Sequence, residues 1–89
     1  MKAIVTVIGE DKVGIIAGVS TVLAGYRANI LDISQTVLQD TFVMVMLVDL
    51  SAVEVPFAEL SSALEEKGKE ISMSIRIQRQ DIFEAMHRI

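Results

Sequence analysis

Hydrophobic and polar positions change their period several times along the chain. Residues 3–9, AIVTVIG, are rich in β-branched side chains and stop at a glycine, which predicts a strand. Both of its alternating sets are mostly apolar, so it is expected to be buried on two faces and central in its sheet. Residues 14–26 switch to helical spacing, with Ile15, Val19, Val22, Leu23 and Tyr26 recurring on one side. Residues 29–39 alternate less cleanly. Ile30, Asp32, Ser34 and Thr36 fall on one face and Leu31, Ile33, Gln35 and Val37 on the other, and the wetter side suits an edge strand.

The polar break Gln39-Asp40-Thr41 predicts a hairpin, and residues 42–50, FVMVMLVDL, a second strand apolar on both faces. Pro56 then suits the first turn of a helix that carries Phe57, Leu60 and Leu64 on one side. Gly68 is placed to end that helix. Residues 71–79 alternate strictly, Ile71, Met73, Ile75 and Ile77 against Ser72, Ser74, Arg76 and Gln78, as in a one-sided strand. The tail from Asp81 predicts a short last helix with Ile82, Phe83, Met86 and Ile89 as its stripe.

The order β-α-β-β-α-β is the ferredoxin-like α+β plan: a four-stranded antiparallel sheet with two helices on one face. Residues 1–79 would form the domain and 80–89 a C-terminal helical extension. Two strands that are apolar on both faces leave the helix-free side of the sheet in need of a cover. A second subunit is the expected cover, making a homodimer; the C-terminal helix folding back is the alternative.

Composition sharpens this picture. With 89 residues there is room for one domain, yet 52% of them are hydrophobic and 22% charged, more apolar material than one small core absorbs. The net charge of −4, the lack of a basic run and the scarcity of aromatic residues argue against nucleic acid as a partner. The absence of cysteine excludes disulfides, thiolate metal sites and cysteine nucleophiles. The apolar run at the N-terminus is too short for a signal-peptide core or a membrane span, so a cytoplasmic protein without a membrane partner is expected.

Candidate chemistry concentrates in GEDKVGIIAG, Gly9 to Gly18. Gly9 and Gly14 have the spacing of a phosphate-binding loop between a strand and a helix. Such a loop continues with Lys and Ser or Thr; here Ile15 and Ile16 follow, and they offer neither charge nor metal ligand. Nucleotide binding is therefore rejected. What remains is a helix N-terminus with free backbone N–H groups, able to attract a carboxylate. Asp11 and Lys12 place opposite charges beside it, and Gly14 allows close approach to the backbone. Together they could hold a zwitterion. Equally, Asp11 could simply cap the helix and Lys12 be solvated.

The stretch VTVIGEDKVGIIAGVSTVLAGYRANILDIS resembles the start of an ACT domain, in which a strand ends in a G-x-D-[RK]-x-G-[IL] pattern, a helix follows and an Asn-Ile pair opens the second strand. The likeness covers about residues 2–79 and is strongest to small ACT proteins akin to the glycine cleavage repressor. It implies a regulatory module that binds a small ligand, commonly an amino acid, at an interface between domains. Carried over by position, the implied ligand residues are Asp11, Lys12, Gly14, Ile15 and Asn29, with no catalytic residue, metal or cofactor. With no effector domain in the sequence, output would pass through a regulatory protein partner. The chain departs from the family at Val13, where many members have proline, and at Arg27, where a glycine is common. Serine-sensing members carry histidine in place of Gly9 and asparagine in place of Asp11, so two ligand groups of that type are missing here.

Three other readings carry less of the sequence. A pure dimerisation or interaction module would need no ligand. An acylphosphatase-like hydrolase needs a loop arginine to cradle phosphate, and the loop has none. RNA binding through the sheet needs exposed aromatics that are absent. His87 is the sole histidine and has no second ligand at helical spacing; the methionines fall in apolar patterns expected to be core or interface.

Overall fold

In a computed structural model, residues 1–82 of the chain are described. They form β1 (Lys2–Glu10), α1 (Ile15–Gly25), β2 (Asn29–Leu38), β3 (Thr41–Asp49), α2 (Phe57–Ile71) and β4 (Met73–Arg79). Residues 80–82 turn helical, and the remainder of the expected C-terminal helix, with Phe83, Met86, His87 and Ile89, lies outside the described residues.

The four strands make one antiparallel sheet in the order β2-β3-β1-β4. The two strands that are apolar on both faces are the central pair, as expected of β1; the wetter β2, expected at an edge, and the one-sided β4 are the edges. Ala3, Val5 and Val7 of β1, with Met44, Met46 and Val48 of β3, are wholly buried on the helix side. They meet Val19 and Leu23 of α1 and Leu60 and Leu64 of α2 in a single core. No polar or charged residue is buried among the described residues. The core therefore holds together by apolar burial, worth about 1.5–3 kcal/mol per large side chain.

Two local features differ from the sequence pattern. Helix α2 does not end at Gly68; it runs to Ile71 and is closed by Ser72 in the left-handed conformation, φ 58°. Gly68 is buried mid-helix because β4 passes directly over it. A Cβ there would stand 2.5 Å from the Met73 carbonyl oxygen. The glycine is kept for space, not for a left-handed cap, and β4 accordingly starts at Met73 rather than Ile71. The second feature is a bulge in β2 between Ile30 and Asp32. One extra residue there shifts Ile33, Gln35 and Val37 into register with Met46, Met44 and Phe42, on the helix side.

On the other side of the sheet the cross-strand register aligns Ile4 with Leu47, Thr6 with Val45 and Ile8 with Val43. No described element lies over them. The apolar, helix-free face expected from the sequence is present.

Candidate functional site

The loop after β1 is fastened at both ends. The Asp11 backbone N–H donates to the Asp40 carbonyl at 2.9 Å, tying the loop to the β2–β3 hairpin. At its other end Gly14 is the N-cap of α1, with φ 91°. That left-handed backbone is nearly free for glycine and costs other residues about 1–2 kcal/mol. No side chain caps the helix, so Asp11 is not the capping residue that a purely structural role would make it. The first closed backbone bond of the helix runs from the Gly18 N–H to the Gly14 carbonyl at 2.9 Å. The N–H groups of Ile15, Ile16 and Ala17 stand ahead of it and have no intrahelical acceptor.

These donors open onto a groove of about 400 Å³ between the start of α1 and the far half of β2. Asp11, Lys12 and Gly14 form its polar end; Ile15, Ile16, Val37 and Phe42 form its apolar wall, with Gln35 between. The groove exists because α1 covers only the beginning of β2. Ile33 and Val37 therefore remain 41% and 48% exposed although they point to the helix side. Among the described residues, neither the Asp11 carboxylate nor the Lys12 ammonium has a hydrogen-bond or ion-pair partner. An opposite pair of free charges, three free N–H donors and an apolar wall can hold a small zwitterion with an apolar or short side chain.

Four of the five sequence-derived ligand residues thus stand together: Asp11, Lys12, Gly14 and Ile15. Asn29 does not join them within one chain. β1 and β2 are both antiparallel to β3 and so run the same way. The start of β2 lies at the opposite end of the sheet from the loop, about 25–30 Å along the strand. There Asn29 borders a shallow surface with Ser20, Thr21 and Ala28 at the far end of α1. Gln35, Val37 and Phe42 join the groove without having been singled out by the sequence pattern. The topology contains the signal, since it brings the end of β2 to the same end of the sheet as the end of β1, with the start of β3 between them.

Arg27 explains a departure from the family pattern. Its φ is 65°, a left-handed position that favours glycine. Its side chain sits 3.7 Å from Glu54 on the surface, away from the loop groove. Gly9 is also constrained. A Cβ there would meet the Met73 sulfur at 2.6 Å and the Ser72 carbonyl oxygen at 3.3 Å, so Met73 fills the space that a larger residue at this position would use. Among the described residues no group of acidic or histidine side chains could hold a metal ion, and no helix is long and apolar enough to cross a membrane.

Comparison with known proteins agrees with this architecture. A family model described as the ACT domain matches residues 2–78. A UPF0237 protein of Clostridium acetobutylicum is 57% identical over 89 residues, covering all of both chains. An ACT domain protein from Streptococcus pneumoniae has a solved structure with a TM-score of 0.83, at 46% identity and 94% coverage of each chain. A protein assigned as a glycine cleavage system transcriptional repressor shares the fold at a TM-score of 0.74 and 20% identity, over 89% of this chain and 45% of that one. The loop motif, the βαββαβ order and the family match converge: the chain belongs to the ACT domain family.

Proposed function

We propose that this chain is a non-enzymatic regulatory module that binds a small carboxylate-bearing ligand, an amino acid by preference, in the groove at the start of α1. ACT domains are generally small-ligand regulatory modules. The observation that carries the specific reading is the polar end of the groove, where Asp11 and Lys12 flank three unclosed helix N–H groups. The N–H groups and Lys12 take the carboxylate; Asp11 takes the ammonium. The apolar wall from Ile15 to Phe42 leaves room for the side chain.

The position of Asn29 supports a ligand held between two chains. If the free edges of two β2 strands pair antiparallel about Ile33, Asn29 of one chain comes beside Val37 of the other. That arrangement would bring all five residues to one site. Occupancy would then stabilise the joined edges, and a regulated protein would sense the change.

Calorimetry or thermal shift with the twenty amino acids, on the natural chain and on Asp11→Ala and Asn29→Ala, tests the proposal. At least one amino acid should raise the melting temperature, and both substitutions should weaken its binding about tenfold or more. A flat response to all twenty would overturn it and favour an interaction module without ligand.

A further inference from the structure

The helix-free face of the sheet carries charge in an uneven way. Its middle is an apolar stripe, with Ile4 and Ile8 on β1 and Val43, Val45 and Leu47 on β3. On the β2 side stands Asp32, aligned with Leu47. On the β4 side stands Arg76, aligned with Thr6. At one end Lys2 of β1 is aligned with Asp49 of β3. Among the described residues Asp32 and Arg76 make no ion pair. The face thus runs acidic, apolar, basic from edge to edge.

Such a face is complementary to itself under one operator. A twofold axis parallel to the strands lays β2 of one chain over β4 of the other, and β1 over β3. Asp32 then lies over Gln78 of the second copy, with Arg76 two residues along β4, a distance its long side chain can span, and Lys2 lies over Asp49. An axis across the strands would instead stack the central Arg76 on its own copy. Four strands about 4.8 Å apart and some seven to nine residues long present roughly 500 Å². Two such faces bury roughly 1,000 Å² in total, at the lower bound for a specific interface. Sheets packed face to face keep their strands within about 30° of alignment, which this operator allows.

We infer that two copies of this chain associate back to back through the helix-free faces, about a twofold axis parallel to the strands, with Asp32 of each copy set against Arg76 of the other. The inference does not rest on ligand binding. The groove lies on the opposite side of the sheet, so a back-to-back dimer leaves both grooves and both β2 edges free.

Sedimentation of the full chain without ligand tests it, using the exposed positions so that folding is preserved. The natural chain should reach twice its monomer mass at micromolar concentration. Asp32→Arg and Arg76→Asp should each weaken self-association about tenfold, by setting like charges face to face. An equimolar mixture of the two variants should regain the dimer, because each restores the opposite charge to the other. Circular dichroism would show that all are folded. A natural chain that stays monomeric, variants that dimerise as well as the natural chain, or a mixture that does not recover would overturn the inference. A monomer would mean that the chain's own last residues or a different protein covers the face.

Discussion

The two halves of this fold are built on one plan and packed to different depths. In the second half, β3-α2-β4, the helix lies so close to its following strand that only glycine fits at position 68. Met73, Ile75 and Ile77 of β4 are all buried. In the first half, β1-α1-β2, the helix is shorter and covers only the entry of its strand. Leu31, Ile33, Val37 and Leu38 of β2 are all left exposed. The closely packed half acts as a scaffold. The half with uncovered apolar surface holds the groove, the unclosed helix terminus and the free charges, and surface left in that state is available for a ligand or a second chain.

The largest way to break the contrast is to fill position 68. Gly68→Ala forces α2 off β4 and should cost about 3 kcal/mol, the upper range for overpacking, seen as a large drop in melting temperature and denaturation midpoint. Gly14→Ala should cost less, about 1–2 kcal/mol, because its Cβ meets nothing within 4 Å and only the left-handed backbone resists it. The two substitutions are chemically identical, so chemical denaturation of both separates a packing glycine from a conformational one. Ile33→Thr should shift stability by less than about 0.5 kcal/mol, since the side chain is already partly in water. Should it cost as much as a core substitution, the open half would be covered by something in solution.

The smallest effect concerns Asp49, at the end of β3. The Ser51 hydroxyl donates to its carboxylate at 2.6 Å and the Ser51 backbone N–H at 2.9 Å. These bonds, the hydroxyl first, hold the Asp49 carboxyl below its ordinary value. A carboxyl lowered by folding stabilises the folded state above the unfolded pKa, and that contribution is lost as pH falls through the folded pKa. Ser51→Ala should therefore raise the Asp49 pKa in a carbon-detected titration. The stability difference between the two chains should be present at neutral pH and vanish in acid.

The pattern of residues 3–9 put β1 at the centre of the sheet and the wetter pattern of residues 29–39 put β2 at an edge, because burial on two faces and partial exposure leave different patterns. The two isoleucines after Gly14 exclude a phosphate-binding loop by their chemistry alone. Gly68 misled, since a glycine near the end of a helical pattern signals a cap as readily as a close contact, and only the path of β4 tells them apart. For Asn29, distance in sequence from the loop says nothing about which end of the sheet it occupies; the antiparallel pairing with β3 decides that.

Sequence alone therefore determined the elements, their order, the central place of β1 and the loop that starts α1. Those properties rest on local spacing and on the identity of neighbouring residues. Tertiary structure decided that Gly68 is a packing contact, that the bulge after Ile30 turns Ile33, Gln35 and Val37 toward the helix side, and that Asn29 stands a sheet's length from Asp11. Each depends on where one segment lies against another. That placement is set by the summed burial of the whole core, which no short stretch of the chain contains.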